Sequence, residues 1–169
     1  MLELAKPGSA GTGTGVIPVL RDGAVVALLR ASNWREAGTA TIGTQTWVLA
    51  KHRGDLTARW ASDSEDVVRM RARQTSLWKG TWRVELEGTP VEVRSASRWK
   101  GTHRFLVDGK PVAESGTTGG WSPRPTLTAE PDLPVHHQVF LLWMELVLSR
   151  RNTAAITAAT GAAVIGGSS

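Results

Sequence analysis

Short segments of alternating apolar and polar residues run from Val16 to Leu127, and glycine-containing turns separate them. Asp22-Gly23 and Asp108-Gly109 are strong hairpin signals, because both central positions of such a turn adopt positive φ. Between the turns, the alternation predicts strands at residues 24–31, 37–42, 45–51, 56–61, 67–73, 81–87, 90–96, 102–107 and 110–114. Many short strands at this spacing are typical of a sandwich or a barrel.

An internal repeat supports a fold built from hairpins. Residues Ser76–Gly88 align with Ser97–Gly109, and each copy contains a Trp-Lys-Gly turn, a strand and an acidic-Gly turn. In the first copy Trp82, Val84 and Leu86 would share one strand face, with charged residues on the other. Two copies are too few for a propeller, so the repeat predicts a meander in a sheet or barrel.

A strongly apolar helix is predicted after the strands. Asp132 can cap its first turn, and Pro134 suits the first helical position. Residues Val139–Met144 are all apolar, so every face of the helix is apolar there. The segment Val135–Leu148 is too short to cross a bilayer, and Glu145 would be costly in lipid. We therefore expect this helix to lie inside the protein, surrounded by the strands.

These elements predict a mainly β fold, a closed antiparallel β-barrel or meander wrapped around one apolar C-terminal helix. Residues 1–15 are predicted to be a flexible glycine-rich leader. Residues 16–151 are predicted to form a single barrel domain with its central helix at about 133–151. Residues 152–169 are predicted to be a loose tail rich in alanine, glycine and threonine.

This layout resembles the tubby C-terminal-like superfamily, which includes the tubby, phospholipid scramblase and LURP-one-related families. The likeness rests on the Trp78–Gly88 and Trp99–Gly109 hairpins, on Gly120-Trp121-Ser122, and on Leu133-Pro134 leading into Val139–Leu148. The resemblance implies a twelve-stranded closed barrel with a hydrophobic helix through its centre. It also implies a function at anionic membranes. The palmitoylated cysteine cluster of scramblases is missing, because the chain has no cysteine. No functional residue is carried over from the family.

Composition and charge narrow the choice of partner. The chain has 169 residues, a net charge of +5 and no cysteine, which excludes disulfides and thiolate zinc sites. No signal peptide or transmembrane span is predicted, so we expect a cytoplasmic protein that can act at the membrane periphery. Most of its basic residues are arginine, which indicates either an anionic partner or the codon composition of a GC-rich genome.

Arg69, Arg71 and Arg73 are the clearest candidate anion-binding site. Their spacing of two places them on one strand face, where three guanidinium groups could contact the phosphates of lipid or nucleic acid. The alternative is a solvated face on which these arginines pair with acidic residues of neighbouring strands, namely Glu85, Glu87 and Glu92.

The chain contains eight tryptophans, and most of them are expected in the core or at the barrel rim. Trp78, Trp99 and Trp121 adjoin glycine-containing turns and are predicted at loop tips, where they could contact a membrane. Lys79 and Lys100 beside the first two would complete a basic-aromatic rim that binds phosphate groups.

No signal for catalysis or cofactor binding is found. Gly8–Gly15 lacks the strand, helix and Gly-Lys-Ser/Thr text of a nucleotide-binding loop, and no nucleophile elbow is present. His136 and His137 are adjacent on the predicted helix, about 100° apart, and are not expected to share a metal. We therefore predict no enzyme activity, no cofactor and no metal site.

The leading hypothesis is a non-enzymatic binding or scaffold protein that acts at the periphery of an anionic membrane and contacts lipid headgroups. A nucleic-acid-binding protein that uses the same arginines is the second hypothesis, and it predicts a steep dependence of binding on salt. A small-ligand carrier is the third, although a central helix leaves little room for a cavity. The sequence names no protein partner.

Overall fold

The computed structural model is a closed antiparallel barrel of twelve strands with one C-terminal helix, which confirms the predicted fold class. It describes residues 1–32, 35–76, 81–97 and 101–165, and side chains as far as residue 160. The strands are β1 Leu2–Leu4, β2 Ile17–Arg21, β3 Ala24–Ala31, β4 Gly38–Ile42, β5 Gln45–His52, β6 Asp55–Trp60, β7 Met70–Ser76, β8 Thr81–Leu86, β9 Thr89–Ser97, β10 Thr102–Val107, β11 Lys110–Thr117 and β12 Pro125–Ala129; the helix is α1 Val135–Ile165.

The strands follow one another around the barrel in chain order, and the first strand closes it. Leu2 of β1 lies opposite Arg21 of β2 on one side and opposite Leu127 of β12 on the other. Leu2 and Leu4 are buried in the core. The leader predicted for residues 1–15 therefore contains a strand of the barrel, because two leucines in alternate positions contribute to the core.

Most predicted strands agree with the observed ones to within a few residues. The periodicity located β3 and β10 without error, whereas β7 begins at Met70 and not at residue 67. The residues before it belong to a polar connection, in which Val67 N–H donates to the carbonyl of Ser64. The two copies of the internal repeat correspond to β8 and β10 with the turns that follow them.

The helix fills the inside of the barrel, as predicted. Residues 140–144 of α1 are at most 1% exposed, and they pack against inward-facing residues such as Leu56, Phe105 and Leu127. An α-helix that is apolar on every face can be buried only where a wall surrounds it completely. The closed barrel provides that wall, and its strands point alternate side chains at the helix.

The helix continues well beyond the barrel, which corrects the loose tail predicted for residues 152–169. It runs to Ile165, and the described side chains from Asn152 to Thr160 are exposed. Hydroxyl groups in this part bond back to carbonyls one turn earlier, as Thr153 does to Ser149 and Thr157 to Thr153. No described helix has both the length and the hydropathy needed to cross a bilayer.

The helix α1 begins at one end of the barrel and leaves it at the other. We call the end where α1 begins the entry end; its connections are residues 22–23, 43–44, 61–69, 87–88, 108–109 and 130–134. We call the end where α1 leaves the barrel the exit end; the described residues of its connections are 5–16, 32, 35–37, 53–54, 101 and 118–124.

Candidate functional site

Of the predicted arginine row, Arg71 and Arg73 lie on β7 and Arg69 precedes it, and all three face carboxylates. Arg69 donates from Nε and Nη2 to the two oxygens of Asp63, at 2.6 and 2.9 Å. Arg73 forms a similar pair with Asp55, and Arg71 lies 3.7 Å from the same carboxylate. The hydrogen bonds from Arg69 hold the pKa of Asp63 below its usual range. Each guanidinium in the row therefore already faces an acidic partner.

The acidic partners differ from those expected for a solvated face. Glu92 pairs with Arg94 on its own strand, and Glu87 contacts two histidines. Glu85 is aligned with Arg71 across the β7–β8 ladder, but the ion pair of Arg71 is with Asp55. The partners come instead from β6 and from the connection after it, because β6 lies on the other side of β7.

Trp121 lies fully exposed at the exit end, in the connection between β11 and β12. This connection is anchored at its base, where Thr118 and Arg124 exchange hydrogen bonds and Arg124 donates to the carbonyl of Leu4. Pro123 and Ile156 line one recess, so the connection runs beside the emerging helix. The loop-tip position predicted for Trp121 is therefore the observed one.

The other four residues of the predicted rim, Trp78, Lys79, Trp99 and Lys100, lie outside the described residues. The residues that flank them are described, and both pairs of flanking strands, β7–β8 and β9–β10, have those ends at the exit end. Of the predicted lysines and tryptophans, the structure therefore places Trp121 alone.

Charge is segregated between the two ends of the barrel. Arg69 is the one basic residue in the connections of the entry end. The acidic residues of these connections are Asp22, Asp63, Glu65, Asp66, Glu87, Asp108, Glu130 and Asp132. At the exit end Glu36 is the one acidic residue in the described part of the connections. Basic residues are found there and at the base of the emerging helix: Lys6, Arg35, Arg53, Arg124, Arg150 and Arg151.

The emerging helix carries no charge beyond Arg151. From Asn152 to Ile165 it contains only alanine, threonine, isoleucine, valine, glycine and asparagine, and Ile156 is 67% exposed. At about 1.5 Å per residue, this helix extension is about 21 Å long. The exit end therefore presents an uncharged helix and an exposed tryptophan within a basic rim.

An ion pair and a hydrogen bond to a carbonyl attach the base of the helix extension to the barrel. Arg151 donates to both oxygens of Glu36, at 2.5 and 2.7 Å, and Arg150 donates to the carbonyl of Ser32. Hydrogen bonds from Arg151, together with the nearby charge of Lys51, lower the pKa of Glu36 to about 2 against the opposing effect of burial. The direction in which the helix leaves is therefore fixed.

A second cluster of polar side chains lies at the entry end. Nε2 of His136 and Nε2 of His137 each lie 2.9 Å from the same oxygen, Oε2 of Glu87. Burial lowers the pKa of His137, whereas the carboxylate of Glu87 opposes that effect. Burial raises the pKa of Glu87, but the two histidines together bring it below its usual value. The two rings therefore reach one carboxylate oxygen, although they are adjacent on the helix.

An aromatic stack holds one of these rings in place. His136 stacks on Trp47 at 5.2 Å with the planes 10° apart, and Trp47 meets Trp60 edge to face. The guanidinium of Arg69 lies 3.4 Å from the centre of the Trp60 ring, on its way to Asp63. The stack thereby links the arginine row to the histidine cluster. Trp60 Nε1 is buried without a hydrogen-bond partner among the described residues.

A buried carboxylate couples the helix to the wall of the barrel. Glu145, which is 5% exposed, lies 2.8 Å from Nδ1 of His103 on β10. It lines a recess of about 420 Å³ at the exit end, together with Thr102, Ser149 and Asn152. Since burying a carboxylate is costly unless it is paired, this contact fixes the depth at which α1 sits.

Sequence reasoning missed three contacts that join distant segments: Glu36 with Arg151, Glu145 with His103, and Glu87 with the histidine pair. Adjacent histidines in the first turn of the helix and a Glu-Gly turn were visible in the sequence, but nothing there brings them together.

Comparison of the chain with protein-family models, curated proteins and solved structures found no significant match.

Proposed function

We propose that this protein is a non-enzymatic binding protein that docks on anionic membrane surfaces with the exit end of its barrel. The observation that carries the proposal is the segregation of charge, with the basic rim at the same end as Trp121 and the uncharged helix extension. The resemblance to the tubby C-terminal-like superfamily points in the same direction, since members of that group work at anionic membranes.

Electrostatics would orient the barrel before contact. An anionic leaflet attracts Lys and Arg by about 1 kcal/mol for each residue near the surface, and repels carboxylates. The exit end would therefore turn toward the membrane and the acidic entry end away from it. Lys6, Arg35 and Arg53 are exposed and free to move toward headgroup phosphates. The predicted row Arg69, Arg71 and Arg73 contributes less, because each guanidinium already faces a carboxylate.

Shallow insertion would follow. Tryptophan is enriched at membrane interfaces, because its ring is amphipathic. Trp121 is fully exposed, and the helix extension beside it has no charge that would resist entry into the headgroup region. These two features favour lipid over nucleic acid, which would be bound by the basic rim alone.

The proposal is tested by co-sedimentation with phosphatidylcholine vesicles, with and without about one-third phosphatidylserine, at low and physiological salt. Wild-type protein should bind the anionic vesicles only. Replacing Arg35 and Arg53 with glutamine should weaken binding about 30-fold, since two charges leave the contact. The matched control replaces Arg83 and Lys110 with glutamine, which removes the same charge from exposed strand positions outside the connections of the exit end and should have much less effect.

Three outcomes would contradict the proposal: no binding to anionic vesicles at physiological salt, equal losses for the two double variants, or binding to duplex DNA alone. Insertion of Trp121 is measured in a separate experiment, by tryptophan fluorescence. The Trp121→Ser variant should lose most of the blue shift that anionic vesicles cause in the wild type, and should keep its response to salt.

A further inference from the structure

The geometry points to a divalent transition-metal site at the entry end, formed by Glu87, His136 and His137. Among the described residues these three form the one group of three or more His, Cys, Asp or Glu side chains whose donor atoms all lie within 4.8 Å of one another. The two Nε2 atoms lie 2.9 Å from Glu87 Oε2. The site is distinct from the proposed membrane surface, which lies at the opposite end of the barrel.

The distances suit a metal with bonds of ordinary length. Zinc binds histidine nitrogen and carboxylate oxygen at about 2.0–2.2 Å, so the donors of a tetrahedral site lie about 3.3–3.6 Å apart. The observed 2.9 Å separations would have to widen by only about half an ångström. Without metal, each ring satisfies the same oxygen by donating an N–H group. A metal ion would replace the protons of these two hydrogen bonds.

The donor set selects the kind of metal. Two imidazole nitrogens and one carboxylate oxygen suit zinc and its neighbours in the first transition row, whereas magnesium and calcium prefer sites made of oxygen alone. Three protein ligands leave at least one coordination position for water or another small ligand. Glu87 and His136 are about 30% exposed in their side chains, so solvent can reach that position.

The ligands are held in place by the surrounding structure. Stacking on Trp47 fixes the ring plane of His136, and the consecutive position of His137 on α1 fixes its Cα. Glu87 occupies a tight turn with a φ of 47°, and its N–H donates to the carbonyl of Arg69 at 2.9 Å. Ligands that are positioned in advance lose little conformational freedom when a metal binds.

The charge of the entry end supports a cation there. The first turn of a helix carries partial positive charge, which disfavours a metal ion beside it. Glu87 and the other acidic residues of the entry end offset that effect, with Arg69 as the one basic residue in these connections. The guanidinium of Arg69 is already neutralised by Asp63.

Calorimetric titration of chelator-treated protein with zinc chloride tests the site. Wild-type protein should bind one zinc ion, and zinc should raise its melting temperature. The Glu87→Gln and His137→Gln variants should each bind at least about 100-fold more weakly, because loss of outer-sphere partners alone costs 10–100-fold. Cobalt should give a visible d–d absorption in the wild type, and magnesium should give no binding at the same concentrations.

The His52→Gln variant is the matched control, since His52 is exposed near the exit end and far from the cluster. It should bind zinc as the wild type does. The inference is overturned if zinc fails to bind, if His52→Gln loses affinity as much as His137→Gln does, or if Glu87→Gln keeps full affinity. Circular dichroism of each variant without metal separates loss of a ligand from loss of the fold, and His136→Gln provides a further ligand variant if one variant misfolds.

Discussion

Replacing Trp143 with alanine should destabilise the protein by about 3–5 kcal/mol, the range found when a large aromatic side chain is removed from a core. Trp143 is 1% exposed in the part of the helix inside the barrel, and its ring lies 6.0 Å from that of Phe140. The strands around it are tied to one another by a closed ladder and cannot collapse into the space. Urea unfolding should show a lower midpoint with a similar slope.

The helix supplies its own control for this variant. Ile156 lies on the same helix but outside the barrel, and it is 67% exposed. The Ile156→Ala change should alter stability by no more than about 0.5 kcal/mol. If the two variants lost similar amounts of unfolding free energy, the buried part of the helix would not be the main source of core stability.

Replacing Glu36 with glutamine should give a pH-dependent loss of stability, of about 1–3 kcal/mol at neutral pH. The pKa of Glu36 is lowered from 4.5 to about 2, chiefly by its hydrogen bonds with Arg151. A lowered pKa means that folding favours the charged form. The contribution is therefore complete above about pH 4.5, and it is lost as the pH falls toward 2.

Urea unfolding at several pH values between 7 and 2 measures this effect. The difference in stability between wild type and Glu36→Gln should shrink across that window and vanish at its acid end. The Glu92→Gln variant is a useful comparison, because it breaks an ion pair with Arg94 in which both side chains are more than half exposed. The stability of Glu92→Gln should differ little from that of the wild type at any of these pH values. A constant gap between wild type and Glu36→Gln at all pH values would exclude the ionic explanation.

The sequence predicted the wall of the barrel well because its strands are long enough to show a period of two. Trp82, Val84 and Leu86 are indeed buried, with exposed residues between them. Three-residue β1 is too short for such a period, and it becomes a strand only because β12 and β2 accept it on either side. That pairing joins opposite ends of the chain, so no local pattern could predict it.

The end of the helix was misjudged for a different reason. Threonine, asparagine and Gly161 have low helix propensity, and an isolated peptide of that composition would not be expected to fold. In the protein, the preceding turns are already fixed inside the barrel, so the costly nucleation step is complete and each further residue needs only to add to the helix. Local propensity could not reveal that the barrel provides this start.

The two candidate sites differ in how much of each could be predicted from the sequence. Trp121 could be predicted at a loop tip because its Gly-Gly-Trp-Ser text is a local turn signal. The metal cluster could not, since Glu87 is 49 residues from His136 and meets it only when β8 and α1 reach the same end of the barrel. The partner of Arg73 was missed for the same reason, because the pairing of β6 with β7 brings Asp55 to it, whereas Asp63 meets Arg69 through the shape of the connection that they share.

The closure of the barrel by β1 also constrains the order in which the molecule can fold during its synthesis. β1 is made before the other strands, yet Leu2 has no partner on one side of its strand until Leu127 has been made. The helix that fills the interior is made later still. Until β12 and α1 have been made, the barrel cannot close and no helix covers the inner face of the strands. Such late, long-range pairing is characteristic of slow folding and leaves the nascent sheet exposed to aggregation, so this protein should depend on protection while it is being translated.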